Sequence, residues 1–203
     1  MSGDVEAVDD VDEVEYPEVP DWDDEYVDRV SDRIMFNYDL EQDHPVADRT
    51  FTLYGRMTIE SAKEFFHPAL SYGQHGSEEH LFVERTDDVT VADLERLVEL
   101  GHDLFEQWVT PDEEHFSTDF TFAVVAPEIP EAVREFVAGF EDRNLLKYGY
   151  YGHYEVNLLV VSPAEEELVA SSGADVADAF ALWDRIEREK TGLLGLIARR
   201  FQV

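Results

Sequence analysis

The sequence predicts an α+β domain in which a single mixed or antiparallel sheet carries helices packed on it. Three observations predict it. Residues 50–59 (TFTLYGRMTI) alternate apolar and polar, the period of a half-buried strand. Residues 91–109 carry an apolar stripe at the 3.6-residue period. Residues Val156 to Val161 are nearly all apolar, as in a strand covered on both faces. Helical and strand segments interleave along the chain, which favours one layered domain. The length of 203 residues fits one domain with tails.

The elements follow in order. Residues 1–23 are acidic, rich in Val and broken by Pro17 and Pro20, and read as a disordered tail tacked down at Tyr16 and Trp22. The folded domain spans 24–190. Val27, Val30, Ile34 and Tyr38 share one face of a helix over 24–38, and Asp24, Glu25 and Asp28 complement the dipole of its first turn. The stretch 39–49, with Pro45, reads as a polar connection. In the strand at 50–59, Phe51, Leu53, Met57 and Ile59 face one way, and Thr52, Tyr54, Arg56 and Thr58 the other. A helical turn is expected at 60–66, with strands at 69–73 and 80–86 flanking a GQHGSEE loop.

Thr90 and Asp93 form a capping-box pattern ahead of the 91–109 helix. Leu94, Leu97, Val98, Leu104, Phe105 and Trp108 form its stripe, and Pro111 stops it. A strand is expected at 117–126. A helix starts near Pro130, uses Val133, Phe136, Val137 and Phe140, and runs to about Asp142. Residues 145–162 are strand-rich and pair as a hairpin with 167–171. A last helix covers 173–190, and 191–203 form an amphipathic C-terminal tail.

Charge narrows the setting. The chain holds 48 acidic and 15 basic residues, a net charge of −33, with 12 Arg and only 3 Lys. Removing the first 25 residues leaves −21, so the folded part is itself acidic. Such charge opposes compaction in dilute buffer. At about 1 M salt the Debye length is roughly 3 Å and the repulsion is screened. The dispersed acids and scarce lysine are the pattern of a halophilic, cytoplasmic protein rather than of a basic-partner site. The 44% hydrophobic content supports a core. With no Cys, disulfides, thiolate metal sites and cysteine nucleophiles are excluded. No apolar run is long enough to span a membrane. No basic region precedes an apolar run near Met1, so no signal peptide is expected.

The segments FTLYGRM, EEHLFVER, PDEEHFSTDFTFAVVAPEIPE and YGYYGHYEVNLLVVS, in that order, resemble a family of uncharacterised prokaryotic proteins common in halophilic archaea. The likeness covers about 24–172. The resemblance implies a free-standing soluble domain of unknown function and supplies no catalytic residues.

Three clusters carry chemistry. Asp112, Glu113, Glu114 and His115, followed by Ser117 and Thr118, lie between a helix end and a strand start. His115 beside Glu114 suits a metal ligand or general base, or simply a connecting turn. His75, Glu78, Glu79 and His80, after His67, offer imidazole and carboxylate for Zn, Mn or Fe, but with no known metal spacing, and HExxH is absent. Tyr148, Tyr150, Tyr151, His153 and Tyr154 form an aromatic run that suits stacking on a flat ligand, or ordinary cross-strand pairing.

The Glu-x-Lys of restriction-type nucleases has its nearest match in Glu155-Val156-Asn157, without the lysine. GxGxxG, GxxxxGK[ST] and GxSxG are absent. Nucleic acid is disfavoured as a partner by charge. The locally basic stretch 185–200 suits a partner, a second copy in a homodimer, an anionic surface or the chain's own acidic domain.

The expectation is a non-enzymatic binding or interaction module with no cofactor. Its ligand candidates are Tyr148, Tyr150, His153 and Tyr154. The alternative is a metal-assisted hydrolase drawing on His80, Glu114, His115 and Glu155.

Overall fold

A computed structural model describes residues 19–62 and 74–184. Among them lie one seven-stranded mixed sheet and four helices, the α+β arrangement the sequence predicts. In chain order the elements are α1 (Glu25–Ile34), β1 (Asp39–Val46), β2 (Arg49–Ala62), β3 (Gln74–Arg85), α2 (Val91–Trp108), β4 (His115–Val125), α3 (Glu131–Ala138), β5 (Asp142–Leu145), β6 (His153–Ser162), β7 (Glu167–Ala170) and α4 (Ala177–Phe180). The strand order is β1-β2-β3-β4-β6-β5, with β7 also on β6. β3, β4 and β6 run parallel, while the other pairings are antiparallel.

Parallel neighbours need crossovers, and α2 and α3 supply them. Both helices pack on one face. Leu94, Leu97 and Leu104 of α2 and Val133 and Val137 of α3 meet Phe82, Phe120, Phe122, Val156, Leu158 and Val160. On the opposite face, Val27, Val30 and Ile34 of α1 and Phe180 of α4 meet Leu53, Leu81, Val83, Ala123, Val125, Leu159 and Val161. Burial on both faces explains the unbroken apolar run at 156–161. Each fully buried Leu or Phe contributes about 2 kcal/mol of transfer free energy.

Local signals explain the helix ends. Thr90 Oγ1 accepts the Asp93 amide at 3.3 Å, and the Asp93 carboxylate accepts the Thr90 amide at 2.9 Å, so the capping box is complete. The Asp24 carboxylate caps α1 through the amides of Tyr26 and Val27 and pairs with Arg85. Burial alone would raise the Asp24 carboxyl, but Arg85 and those two amides hold it below its ordinary value. The Trp22 indole N–H donates to the Thr52 carbonyl at 2.7 Å, which pins the entry to α1.

Several expectations are corrected. The 39–49 stretch is the edge strand β1 rather than a connection. Pro45 is tolerated there because an edge strand need not donate outward. The first helix stops at Ile34, before Tyr38. The alternation of β2 breaks: Phe51 packs on the α2 face and Leu53 on the α1 face. The break lies opposite Asp43, whose φ is 51°, while the register is the same on either side of it, at Gln42↔Leu53 and His44↔Phe51. The backbone of 60–62 continues β2 where a helical turn was expected, and the GQHGSEE stretch from 74 onward is strand β3.

Residues 147–152 form a turn rather than a strand, with Lys147, Tyr148, Gly149 and Gly152 at positive φ. A Cβ at Gly152 would lie 1.9 Å from the Phe116 carbonyl oxygen, so only glycine fits there. Of the expected last helix, 177–180 is helical and 173–176 and 181–184 are not. The disordered tail expected up to residue 18, the strand expected at 69–73 and the C-terminal tail expected at 191–203 fall in 1–18, 63–73 and 185–203, outside the described residues. Among the described residues, no helix is long and apolar enough to cross a membrane.

Candidate functional site

The α1-facing side of the sheet changes character along its strands. At the carboxyl ends of β4 and β6 it presents Ala123, Val125, Leu159 and Val161. Two-residue periodicity puts Ser117, Asp119 and Thr121, and His153, Glu155 and Asn157, on that same face nearer the amino ends. The register then aligns three rows. Ser77, Ser117 and His153 form one; Glu79, Asp119, Glu155 and Arg143 the next; Leu81, Thr121 and Asn157 the third. Neighbouring strands lie about 4.8 Å apart, so three carboxylates stand side by side. Glu79 and Asp119 are buried, at 3% and 4% exposure.

A cavity of about 240 Å³ opens beside these rows. Asp119, Asp142, Arg143, His153, Glu155, Asn157, Gly173 and Asp175 contribute to its wall. Glu155 Oε1 lies 3.3 Å from both Arg143 Nε and His153 Nε2. Arg143 Nη2 donates to His153 Nδ1 at 3.4 Å, which leaves the imidazole proton on Nε2, facing Glu155.

Asn157 is held from one side only. Ser171 Oγ accepts the Leu158 amide at 3.0 Å and donates to Asn157 Oδ1 at 3.4 Å. That orients the amide, and its Nδ2 has no hydrogen-bond partner although Asn157 is 4% exposed. Such a buried donor costs about 1–3 kcal/mol. Thr121 Oγ1 and Ser117 Oγ, buried nearby, also lack partners. Gly173 brings backbone against this group: a Cβ there would lie 2.3 Å from Asn157 Oδ1 and 2.9 Å from Glu155 Oε2.

The other candidates point elsewhere. His115 donates from Nδ1 to the Tyr151 carbonyl at 2.7 Å, which ties the 147–152 turn to β4, and accepts the Thr118 hydroxyl on Nε2 at 2.9 Å within β4, so both ring nitrogens are engaged. The Glu114 amide donates to Asp112 Oδ1, as in an Asx turn. Glu114 and His115 line a groove with Glu78 and Trp108, so the first two predicted clusters do meet along one edge.

His80 lies on the α2 face. It stacks on Phe120 at 5.2 Å, accepts the Tyr54 hydroxyl on Nδ1 at 2.7 Å, and places Nε2 3.7 Å from Glu78 Oε2. Burial lowers its pKa to about 4 despite Glu78, so the ring is neutral. Burial likewise raises Tyr54 to about 12. His80 and Glu155 are therefore on opposite faces of the sheet and share no site. Among the described residues, no three His, Asp or Glu side chains are grouped to hold a metal ion.

The aromatic run divides. Tyr148 and Tyr150 are 98% and 84% exposed on the turn. Tyr154 stacks on Phe105 at 3.9 Å and bonds His102, on the α2 face. His153 belongs to the cavity. Asp119, Thr121 and Asn157 were not singled out from the sequence. Their signal was available: polar residues at alternate positions in strands otherwise apolar on both faces.

The described residues thus form a mixed sheet flanked by helices, with a polar cavity beside one face. The chain belongs to the family described as Domain of unknown function (DUF8052), whose model matches residues 23–182. No curated protein and no solved structure matches it.

Proposed function

We propose that this is a non-catalytic binding module that takes a small polar ligand in the cavity between β4, β5, β6 and the 172–175 segment. The observation that carries the reading is the Asn157 side-chain amide. Its Oδ1 is held by Ser171 Oγ, its Nδ2 is buried without a partner, and Asn157 is one of the residues of the cavity wall. Buried donors are normally satisfied, so an unpartnered one in the wall of a cavity marks the place where a ligand that shifts the wall can supply a partner.

The acidic, lysine-poor composition supports work in a salt-rich cytoplasm, as in a halophilic archaeon. The domain spans 24–190 between an acidic tail over 1–23 and a basic, amphipathic segment over 191–203. That segment is the surface we assign to a protein partner or a second copy. The aromatic turn with Tyr148 and Tyr150 serves as a secondary contact.

The experiment is a small-molecule screen on the full chain in about 1 M KCl. Binding is read by thermal shift and by the Asn157 side-chain amide signals in a ¹H–¹⁵N spectrum. A ligand that moves those signals and is lost in Asn157→Ala supports the reading. A screen in which no small molecule moves them refutes it.

A metal-assisted hydrolase is the second reading, favoured by one observation: Glu79, Asp119 and Glu155 align across three parallel strands. Metal analysis of chelator-free protein, followed by assay of phosphodiester hydrolysis, tests it. Stoichiometric metal lost in Asp119→Asn, together with hydrolysis, replaces the binding-module reading.

A further inference from the structure

We propose that Trp108, Tyr54 and His80 form a radical-transfer relay: when Trp108 loses an electron to a one-electron oxidant in solvent, Tyr54 replaces it and passes its phenolic proton to His80. The relay lies on the α2 face of the sheet and is independent of what the cavity on the other face binds.

Three elements supply its parts. Trp108 ends α2, is 43% exposed, and lines the same groove as Glu78, so an oxidant in solvent can reach its indole. In a chain without Cys, indole and phenol are the side chains that give up one electron most readily. Tyr54 of β2 meets Trp108 edge to face, with 6.4 Å between ring centroids. His80 of β3 lies 5.4 Å from Trp108, and its Nδ1 accepts the Tyr54 hydroxyl at 2.7 Å. Phe82 and Phe120, which are harder to oxidise, pack at 5.1 Å from Tyr54 and 5.2 Å from His80.

Burial makes the imidazole necessary. Tyr54 is 6% exposed, and burial holds its hydroxyl protonated by raising it to about 12. A phenol that loses an electron there must also shed its proton, because a charged radical in apolar surroundings is costly. The base in hydrogen-bond contact is His80. Burial keeps its ring neutral, so the Nδ1 lone pair is free to take that proton. Its Nε2 lies 3.7 Å from Glu78, which pairs with Arg56, so the imidazolium that forms faces a carboxylate.

The electrons and protons balance. The oxidant takes one electron from the Trp108 indole, and the Nε1 proton leaves to solvent. Tyr54 then returns one electron to the indole, which regains a proton from solvent. The Tyr54 O–H bond breaks and an N–H bond forms on His80 Nδ1. The products are intact Trp108, a neutral Tyr54 phenoxyl and a His80 imidazolium. Other tyrosines have only part of this arrangement. Tyr26 donates to the Phe180 carbonyl, which is too weak a base to take a proton, and Tyr154 bonds His102 but stacks on Phe105.

The test oxidises the full chain at pH 7 in molar KCl with azide radicals made by pulse radiolysis. We expect tryptophanyl absorption to decay as tyrosyl absorption grows, in a first-order step whose rate does not depend on protein concentration. Trp108→Phe and Tyr54→Phe should each lose that step, and Tyr26→Phe should keep it. His80→Asn retains an acceptor for the hydroxyl without a useful base, and should slow the step about a hundredfold, the low end for a positioned base. A step that survives in Trp108→Phe or Tyr54→Phe, or that wild type lacks, overturns the relay. An unchanged rate in His80→Asn overturns His80 as the proton acceptor. Should either Phe variant fail to fold, the radical is frozen in Tyr154→Phe protein carrying ¹⁵N-histidine and read by electron spin resonance. Coupling of the phenoxyl to an imidazole nitrogen supports the relay, and a phenoxyl without it overturns it.

Discussion

Acid should cost this domain stability through His80, by an amount set by its burial. The ring sits between Phe120 and Trp108, accepts the Tyr54 hydroxyl, and titrates near 4 instead of the ordinary 6.5. A group whose folded pKa is depressed binds protons more readily when unfolded. Its contribution is therefore complete above 6.5 and is lost as pH falls toward 4. At pH 5 an unfolded histidine is almost wholly protonated and the folded one almost wholly neutral. Linkage then gives a loss of about 2 kcal/mol relative to pH 7, rising to about 3 kcal/mol below pH 4.

His80→Asn isolates the effect, because its Oδ1 can replace Nδ1 as acceptor for Tyr54 without titrating. The variant starts less stable through lost packing, by a pH-independent amount. Urea unfolding in molar KCl, followed by tryptophan fluorescence at pH 7 and pH 5, measures both slopes. Wild type should lose about 2 kcal/mol more than the variant over that interval. Parallel losses, or a His80 ring signal that titrates near 6.5, would sink the reasoning.

The other predictions concern separate parts of the molecule. Gly173→Ala should cost about 1–3 kcal/mol by urea unfolding, because its Cβ falls 2.3 Å from Asn157 Oδ1, and it should abolish ligand-induced thermal shifts. An unchanged midpoint and intact shifts would show that the 173 backbone yields freely. Thr90→Ala removes the side-chain half of the capping box and should cost about 1 kcal/mol, whereas Thr90→Ser should stay within a few tenths. Dialysis from molar to millimolar KCl should expand or unfold the chain by circular dichroism and scattering, since −33 is then unscreened. A spectrum indifferent to salt would remove the argument for a salt-rich setting.

Much of the fold was legible because periodicity and end signals agreed. The α2 stripe, its Thr90–Asp93 box and the apolar run of β6 each point to one answer. β1 was not legible. DLEQDHPV has no apolar alternation because an edge strand with exposed neighbours needs none, and its pairing with β2 is a long-range fact. The break between Phe51 and Leu53 was hidden too, since TFTL reads as plain alternation and only the packing on the two faces separates the pair. Histidines stand out in the sequence by their chemistry, yet His115 bonds a backbone carbonyl and the Thr118 hydroxyl, and His80 bonds Tyr54. The cavity instead assembles Asp119 and Asn157, ordinary polar residues 38 positions apart that only the β4–β6 register brings together. What the strands did carry was a parity anomaly: Ser117, Asp119 and Thr121 occupy positions where a strand covered on both faces should be apolar.

The two rims of the sheet have a consequence for how these molecules would meet one another at molar salt. Where ions shorten electrostatic range to about 3 Å, like charge no longer holds neighbouring molecules apart. An open strand rim would then recruit a second chain. β1 blunts its rim by shape: Pro45 lacks an amide proton, and Asp43, with a φ of 51°, bends the backbone out of a flat template. On the other side β5 and β7 cover β6 end to end, and Ser171 plugs the joint by bonding both polar groups of Leu158. The outer edges of β5 and β7 are only four residues long, which limits strand-on-strand growth as the proline and the bend of β1 do. Strand length and covalent geometry do not change with ionic strength, so these limits persist where charge repulsion is screened.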